Sequence, residues 1–408
     1  MKSRATDRLV QLKSQLTAAS SSSSVQDLYI LPAESARSSV PSQDVLEVLT
    51  PTVQAFLARL TAHVQDDVGA LHVARRRRQL ELDSCQTIEE AYAKFQFRPA
   101  PEGNWTIDPL PAILQDRRVD IGDIAPARHA DFVTALNSGA QGVQVDFDDG
   151  NCPTWRNTIH GHRNLARAAR GTLAGLKPLE KTALLLVRPR AWNMDEEHVL
   201  VHGHVVPGAI FDFAVHMVHS GVHLWKLGRG PFFYLPKLES ADEAALWARV
   251  FAFTEEQLGL PQATIKATVL IESISAAFDM DAILYALRRY SSGLNCGMWD
   301  YTASILSKFR AFRECSLPDR QAHVSMRSPF LATYMHLLIQ TCHRRGAPAT
   351  TGMVPFEMSR ASAADRAAFV GKAKAGKTYE ADAGADGALV YDTALVSVVQ
   401  DVSFLQMG

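Results

Sequence analysis

The sequence has no apolar run long enough to cross a bilayer and no excess of charge of either sign. Its 408 residues include 42 Lys and Arg against 43 Asp and Glu, for a net charge of -1. A membrane-spanning helix needs about 20 apolar residues. A near-neutral chain has no global basic field to attract nucleic acid or an anionic membrane. We therefore expect neither a membrane nor a nucleic acid as partner.

Cysteine is also scarce, with five widely spaced residues and no C-x-x-C motif. An odd number without paired spacing argues against a disulfide framework and against a structural zinc site. This pattern predicts five buried free thiols in a reducing, intracellular compartment. The cysteines are Cys85, Cys152, Cys296, Cys315 and Cys342.

The first 26 residues differ from the rest in being basic, rich in serine and poor in acidic residues. Such a segment is typical of an organelle transit peptide and equally of a disordered tail. Both interpretations stay open for residues 1–26. We expect an intracellular protein, and this extension would permit the mitochondrion as its compartment.

Residues 27–104 are predicted to form an N-terminal helical segment. An apolar stripe at i, i+4, i+7, i+8 and i+11 predicts one amphipathic helix; it consists of Leu49, Val53, Phe56, Leu57 and Leu60. Four arginines follow at positions 75–78. A nucleic-acid patch would need more basic residues with aromatics between them, so this run predicts a helix face that is solvated or paired with acids.

A proline-rich link at residues 99–111 separates this segment from residues 105–408, where short apolar strands alternate with helical patterns. Eight such alternations predict an α/β fold of the (β/α)8 TIM-barrel type. The predicted strands are 118–122, 142–147, 183–189, 232–237, 268–272, 293–296, 347–352 and 387–391.

Polar residues stand at the ends of these strands, where TIM barrels carry their active sites. The second strand ends in Asp146-Phe147-Asp148-Asp149, the third in Arg188-Pro189-Arg190, the fourth in Lys237-Leu238-Glu239 and the fifth in Glu272, and Asp300 follows the sixth. Several carboxylates with few neutral nitrogen ligands predict a hard divalent cation such as Mg2+. Glu272 and Asp300 are the candidate ligands, and Arg188 is the candidate group for stabilising an oxyanion.

Two further patterns suggest other ligands. Residues 371–378 match the phosphate-loop pattern G-x-x-x-x-G-K-T, but the preceding segment predicts a helix where that loop needs a strand. We therefore expect no ATP binding, although the lysines there remain candidates for contacting the phosphates of another ligand. His216, His219 and His223 share one helix face, and we expect packing or hydrogen bonding there rather than a metal.

Long ordered motifs carry a resemblance to a known family. They run from Arg98 to Gly346 and comprise RPAPEG at 98–103, QDRRV at 115–119, DFDD at 146–149, PTW at 153–155, RPR at 188–190, EHV at 197–199, FYLPK at 233–237, ATVLIE at 267–272, GLNCGMWDY at 293–301 and TCHRRG at 341–346. Over residues 45–390 the chain resembles malate synthase in its shorter, A-type form.

The resemblance implies a Mg2+-dependent Claisen condensation of acetyl-CoA with glyoxylate, followed by thioester hydrolysis to malate and CoA. It implies that Glu272 and Asp300 ligate Mg2+ and that Arg188 stabilises the enolate. It also implies that Asp146 and Asp148 orient Arg188 or the water ligands of the metal. The loop of Gly297, Met298, Trp299 and Asp300 is expected to bind glyoxylate, chiefly through backbone N–H groups of its last two residues.

The chain departs from the family pattern at three places. Asp148 replaces a glutamate, Met298 replaces an arginine, and residues 389–393 replace a Trp-Val-Ala-His-Pro segment that lines the CoA site. The resemblance also implies a helical C-terminal domain carrying the general base, which is unknown in this chain because the sequence ends at Gly408. We therefore expect a truncated product, a pseudoenzyme, or a homo-oligomer in which a neighbouring subunit supplies the base. An acyl-CoA lyase of the malyl-CoA or citrate-lyase β type is the alternative function.

Overall fold

The structure is a computed structural model that describes residues 28–31, 40–319, 323–354, 356–358 and 361–404. The extension predicted for residues 1–26 lies outside these residues. The described strands are β1 Leu28–Ile30, β2 Val119–Ile124, β3 Gly142–Asp146, β4 Leu184–Arg188, β5 Asp195–Val201, β6 His204–Pro207, β7 Phe232–Leu235, β8 Lys266–Ile271, β9 Ser291–Cys296, β10 Ala349–Val354 and β11 Gly387–Val390. The described α-helices are α1 Ser42–Val48, α2 Pro51–Asp83, α3 Ile88–Tyr92, α4 His129–Leu136, α5 Trp155–Ala169, α6 Gly208–His216, α7 Val222–Lys226, α8 Ala241–Leu258, α9 Ile274–Phe278, α10 Met280–Ala286, α11 Met298–Lys308, α12 Pro329–Arg344, α13 Ala363–Asp382 and α14 Val396–Gln400.

Eight parallel strands close into a barrel in the order β2-β3-β4-β7-β8-β9-β10-β11. The predicted TIM barrel is therefore confirmed, and each predicted strand boundary lies within two residues of the observed one. These strands are readily recognised because both faces are buried, one by the barrel interior and one by the surrounding helices. The connection from β4 to β7 carries an insertion that contains β5 and β6.

The long helix α2 lies against α6 and α8 on the outside of the barrel. Thr50 caps its N-terminus by accepting a hydrogen bond from the backbone N–H of Val53, and Pro51 occupies the first helical position. All five residues of the predicted apolar stripe are buried, but only four of them lie on α2, because Leu49 is the C-cap residue of α1 and the chain starts a new helix after Thr50. Burial of a large apolar side chain contributes about 1.5–3 kcal/mol, so the stripe is sufficient to dock the helix.

A three-stranded antiparallel sheet, β1-β5-β6, was not predicted from the sequence. The segment expected to be wholly helical thus also contributes one strand, β1, which pairs with β5. The strands β5 and β6 form a hairpin whose two loop residues, His202 and Gly203, both have positive φ. A two-residue loop with this geometry matches the twist of a hairpin, but histidine is not a residue that signals such a turn.

Two smaller expectations also needed correction. The segment in which His216, His219 and His223 were expected to share one helix face consists of α6, a π-helical turn at Met217–Gly221 and then α7. All five cysteines are free thiols, as expected, but only Cys296 and Cys342 are buried and Cys152 is exposed. Among the described residues, no helix is both long enough and apolar enough to cross a membrane.

Candidate active site

The polar strand ends meet on the barrel axis because alternate residues of each strand face inward. In β4 the side chains of Leu184 and Leu186 lie in the interior cluster, while Leu185 and Val187 pack outward against the helices. Arg188 is the next inward-facing position of that strand. The same alternation brings Asp146 inward at the end of β3 and Glu272 inward just after β8. The site is therefore the polar layer at the C-terminal mouth of the barrel. The interior also holds the apolar cluster around Leu184 and Leu186 and a second buried polar cluster of Arg117, Asp120 and Tyr234.

Arg188 lies at the centre of this layer and contacts five carboxylates. Its side chain is only 4% exposed. Nη1 lies 3.2 Å from Asp123 Oδ1 and 3.4 Å from Asp146 Oδ2. Nη2 donates to Asp148 Oδ2 at 3.2 Å and to Asp149 Oδ2 at 2.5 Å, and lies 3.5 Å from Glu272 Oε1. The planar guanidinium, with five donors in a fixed fork, suits this arrangement in a way that lysine would not.

The pKa values of the carboxyl groups around Arg188 are shifted in different directions. Burial raises the pKa of Asp146 to about 8 even though Arg188 opposes the shift. Burial also raises the pKa of Asp123, which lies beside Arg188. Burial would raise the pKa of Asp149 too, but Arg188 and Lys237 outweigh it and hold that pKa below its usual range. Such divergent pKa values among neighbouring carboxyls are typical of functional sites.

Asp146 also shapes the loop that carries the next two acids. Its Oδ1 accepts the backbone N–H of Asp148 at 2.7 Å, and its Oδ2 accepts that of Gly150 at 2.9 Å. Asp148 in turn accepts the backbone N–H of Ala191 at 2.9 Å through Oδ1. The carboxylate that was predicted to orient Arg188 therefore orients the 148–150 loop as well.

Lys237 is the second cation of the site and was not assigned a role from the sequence. Its Nζ contacts Asp148 and lies 2.7 Å from both carboxylate oxygens of Asp149. Its backbone N–H donates to Glu272 Oε1 at 2.8 Å. Burial would lower the pKa of Lys237, but Glu272 and Asp148 raise it above its usual range. The ammonium group thus stays charged and neutralises carboxylates that Arg188 alone would leave in excess.

The two predicted metal ligands come together at the mouth of the barrel. Burial foremost, and then the charge and hydrogen bonding of Asp300, raise the pKa of Glu272 well above its usual range. Two carboxyl groups this close disfavour each other's charged form, and a cation between them would relieve that repulsion. Among the described residues, no group of three or more His, Cys, Asp or Glu side chains is arranged to hold a metal. A cation here would take two protein carboxylates and complete its shell with water and substrate oxygens, as Mg2+ commonly does.

The predicted substrate loop begins helix α11. Gly297 is its N-cap residue, and Met298, Trp299 and Asp300 form its first turn. A side chain at Gly297 would lie 3.2 Å from Glu272 Cβ and 3.5 Å from Glu272 Oε2. Glycine therefore allows the helix N-terminus to approach the candidate metal ligand closely. The N-terminal end of a helix favours an anionic group such as a carboxylate.

The structure brings Asp146, Asp148, Arg188 and Glu272 together at the mouth of the barrel, with Asp300 in the first turn of α11, and it adds other residues. Asp123 was missed altogether, although it lies near the end of the first barrel strand, where an acid is expected to face the site. Asp149 and Lys237 were noted only as polar residues at strand ends. Asp123, Asp149 and Lys237 share a position in the fold rather than a residue type. Each lies at or just past the C-terminal end of a barrel strand, and that position could have identified them.

A cavity of about 460 Å³ adjoins the site at the ends of β2, β3 and β11. It shares Asp123 and Asp149 with the Arg188 cluster. Its lining also includes three residues of the segment 389–393, which departs from the family pattern. These are Tyr391, Asp392 and Thr393.

The phosphate-loop pattern has no phosphate-binding geometry, because residues 371–378 lie inside helix α13. Lys377 is buried there, and its Nζ donates to Gly352 O at 2.6 Å and to Glu380 Oε2 at 2.7 Å. This lysine is therefore committed to an internal contact. The other two lysines of the segment, Lys372 and Lys374, are exposed on the outside of the barrel.

The three histidines that share a helix face do not converge on a metal. His219 Nε2 lies 2.7 Å from Val48 O, and His223 is exposed. His216 is buried with its ring edge-on to Phe233. Burial lowers the pKa of His216 to about 3, so it packs as a neutral ring, in agreement with the expectation of packing and hydrogen bonding.

Comparison with known proteins gives a consistent set of similarities. The family profile described as "Malate synthase, TIM barrel domain" matches residues 184–408. A malate synthase of Streptomyces clavuligerus is 43% identical over 380 residues, covering 90% of this chain and 69% of the relative. One of Myxococcus xanthus is 40% identical, with 88% and 66% covered. Malate synthase A of Escherichia coli is 39% identical, with 87% and 67% covered. The chain thus spans about two thirds of the length of these relatives.

Proposed function

Because the chain belongs to the malate synthase family, we propose that it condenses acetyl-CoA with glyoxylate and hydrolyses the resulting thioester to malate and CoA. The observation that carries this proposal is the position of Arg188. Its guanidinium lies among five carboxylates at the C-terminal mouth of the barrel, beside the paired carboxyls of Glu272 and Asp300. A fixed positive charge beside the two carboxyls that we propose as cation ligands supports this function, because both charges would stabilise an enolate formed next to an aldehyde.

We propose Mg2+ as the cofactor, with Glu272 and Asp300 as its protein ligands. The fit rests on the two neighbouring carboxyls and on their hard oxygen donors, which Mg2+ prefers. When bound, the cation would polarise the carbonyl of glyoxylate and balance the negative charge that develops on its oxygen. Asp146 and Asp148 are proposed to orient Arg188, whose guanidinium both of them contact.

Glyoxylate is proposed to lie between the mouth of the barrel and the first turn of α11. The backbone N–H groups at residues 299 and 300 would hold its carboxylate, and the helix dipole favours that charge. Gly297 keeps this turn close to Glu272. The substrate is thereby oriented with its aldehyde toward the centre of the site, where Arg188 lies.

Arg188 is proposed to stabilise the oxyanion of the enolate, which forms when a general base takes a proton from the acetyl methyl group; we assign that base to none of the described residues. A preorganised donor of this kind contributes about 3–4 kcal/mol to the barrier reduction. Asp123, Asp146 and Asp149 hold the guanidinium from three strand ends, so little reorganisation is needed when charge develops. Acetyl-CoA is proposed to approach through the adjoining cavity, whose acidic lining suits the thioester arm rather than the phosphates of CoA.

The test is glyoxylate-dependent release of free CoA from acetyl-CoA, followed with a thiol reagent in the presence and absence of Mg2+. Asp300→Asn removes one proposed ligand and is expected to reduce release at least about 100-fold. Asp66→Asn, which alters an exposed acid on α2, is the matched control and is expected to behave as the parent chain.

The products distinguish the alternatives. Free CoA together with malate supports synthase chemistry, whereas malyl-CoA without free CoA would support the acyl-CoA lyase alternative. Absence of both, with Mg2+-dependent glyoxylate binding retained in calorimetry, would indicate a catalytically impaired protein. Loss of that binding as well would contradict the proposed site.

We further propose an intracellular location, in the cytoplasm, the glyoxysome/peroxisome or the mitochondrion. The five free thiols support a reducing environment. Fluorescence microscopy of the full chain, with and without residues 1–27, tests whether that segment directs it to an organelle.

A further inference from the structure

The arginine run at positions 75–78 lies on helix α2, outside the barrel, and only part of it faces solvent. Arg77 is 76% exposed and forms a 3.6 Å pair with Glu81 on the same helix. Arg75, two positions earlier, is 14% exposed. Its Nε donates to Glu243 Oε1 at 2.8 Å, and its Nη2 donates to Glu243 Oε2 at 2.6 Å. One arginine of the run is thus built into a tertiary contact while another is solvated.

The same Nη2 of Arg75 also donates to the backbone carbonyl of Lys237 at 2.8 Å. Lys237 has a φ of 52°, in the left-handed region that a residue with a side chain seldom adopts. Such a conformation persists only when surrounding contacts hold it in place. Arg75 is one of those contacts, and Glu243 holds the arginine in turn.

All three polar groups of Lys237 are occupied in this conformation. The carbonyl accepts from Arg75, the N–H donates to Glu272 Oε1, and the ammonium lies against Asp148 and Asp149. A change of φ at this residue would rotate the N–H and the carbonyl relative to each other. The direction in which Lys237 aims its N–H at Glu272 therefore depends on what holds its carbonyl.

We infer that Arg75 is a positioning residue of the active site, acting from the N-terminal helical segment through Lys237 on the candidate ligand Glu272. It touches neither the proposed substrate position nor the carboxyl pair. It keeps Lys237 left-handed, so that one residue links the outer helix, the Asp148–Asp149 loop and Glu272. This inference rests on the proposed function, because the role of Glu272 as a ligand is itself part of that proposal.

Loss of the contact between Arg75 and Lys237 is expected to weaken ligand binding at the site without removing either proposed metal ligand. Residues that orient a metal ligand without binding the metal themselves typically contribute 10–100-fold to metal affinity or activity. Arg75→Met is therefore expected to weaken Mg2+-dependent glyoxylate binding by about 10-fold or more. Arg75→Lys keeps a charge for Glu243 but lacks the fork, and it should show a smaller loss in the same direction.

The experiment uses the full chain and two independent readouts. The first is hydrogen–deuterium exchange without ligand, followed over the segment that contains the backbone amide of Lys237. The second is calorimetric titration with glyoxylate in the presence of Mg2+. Arg77→Met removes the same charge from an exposed position of the same run, and it is the matched control. Circular dichroism and the melting temperature establish that each variant is folded.

The expected result is faster exchange and weaker binding in Arg75→Met, intermediate values in Arg75→Lys, and parent-like values in Arg77→Met. If Arg75→Met does not fold, Arg75→Lys decides the question by the same two readouts. Unchanged exchange in a folded Arg75 variant would overturn the inference. Failure of the parent chain to bind glyoxylate would instead count against the proposed function, and the exchange measurement would still decide whether Arg75 positions Lys237.

Discussion

Asp146 and Arg188 lie opposite each other at the C-terminal ends of β3 and β4, and Arg188 Nη1 lies 3.4 Å from Asp146 Oδ2. The two residues are paired in the barrel register itself, so the backbone of adjacent strands brings them together. Asp146 also accepts two backbone N–H groups of the following loop. One carboxylate therefore orients both the guanidinium and the loop that carries Asp148 and Asp149.

The first prediction concerns the geometry of the guanidinium. Arg188→Lys keeps the positive charge but cannot reach acids on both sides of the site through separate nitrogens. We expect the turnover number for glyoxylate-dependent CoA release to fall about 100–1,000-fold, with a smaller effect on glyoxylate binding. Steady-state kinetics and calorimetry measure the two quantities. Arg345→Lys, which alters a two-pronged pair with Asp281 outside the site, is the control. A loss below 10-fold would contradict the role of Arg188.

The second prediction concerns stability in acid. Burial lowers the pKa of His216 to about 3, against an ordinary value of 6.5. Below pH 6.5 the unfolded chain takes up a proton at this residue and the folded chain does not, so folding stability falls as the pH falls toward 3. The contribution is about 1.4 kcal/mol for each pH unit. We expect His216→Leu to gain about 2 kcal/mol relative to the parent between pH 7.5 and pH 5.0. Urea unfolding at both values measures this.

A matched control for His216 is the exposed His204, replaced by glutamine. The stability of His204→Gln relative to the parent should be the same at pH 7.5 and at pH 5.0. A constant difference between His216→Leu and the parent at both pH values would show that the buried ring is not the source of acid sensitivity.

The third prediction concerns the buried pair Lys377 and Glu380, whose side chains are 4% and 7% exposed. Removing one partner leaves an uncompensated buried charge, which typically costs about 3–5 kcal/mol. Replacing both with apolar residues avoids that cost. Lys377→Met is therefore expected to be less stable than the double variant Lys377→Met/Glu380→Leu. Urea unfolding measures the difference, and strictly additive single effects would argue against coupling.

The fourth prediction contrasts two glycines in the outer helix α13 with one glycine in a barrel strand. A Cβ at Gly371 or Gly376 would meet nothing within 4 Å, and both lie inside helix α13. Alanine at either position is expected to stabilise the chain by about 0.5–1 kcal/mol because it restricts the unfolded backbone. Thermal melting measures this, and added ATP should leave the melting temperature unchanged. A drop in stability would mean that the glycines serve a purpose other than helix formation.

Gly293 provides the opposing case. Its φ is 105°, and a Cβ there would lie 2.1 Å from the backbone oxygen of Pro348 in the neighbouring strand connection. Gly293→Ala is therefore expected to lower the melting temperature clearly. A variant that melts with the parent would show that the strand can shift at this position.

The barrel strands are buried on both faces, so strands such as β4 and β7 stand out as short apolar runs between helical patterns. Arg188 and Glu272 were predictable as site residues because polar residues that end such runs point at the mouth of the barrel. The β5-β6 hairpin was not predictable, because its loop is His202-Gly203 and its strands carry exposed acids and histidines. Asp123 was missed because it directly follows the predicted first strand, 118–122, as a single acid rather than within a run of polar residues.

The sequence alone determined the barrel and the set of polar strand ends, because inward alternation and burial on two faces are local periodic patterns. It also carried the motifs that mark the family. Only the tertiary structure decided which partners those polar groups take. The contact between Arg75 and Lys237 joins residues 162 positions apart, and the left-handed turn of Lys237 is held by groups from several elements. Pairings of this kind depend on distance in space and on burial, which no local sequence pattern encodes.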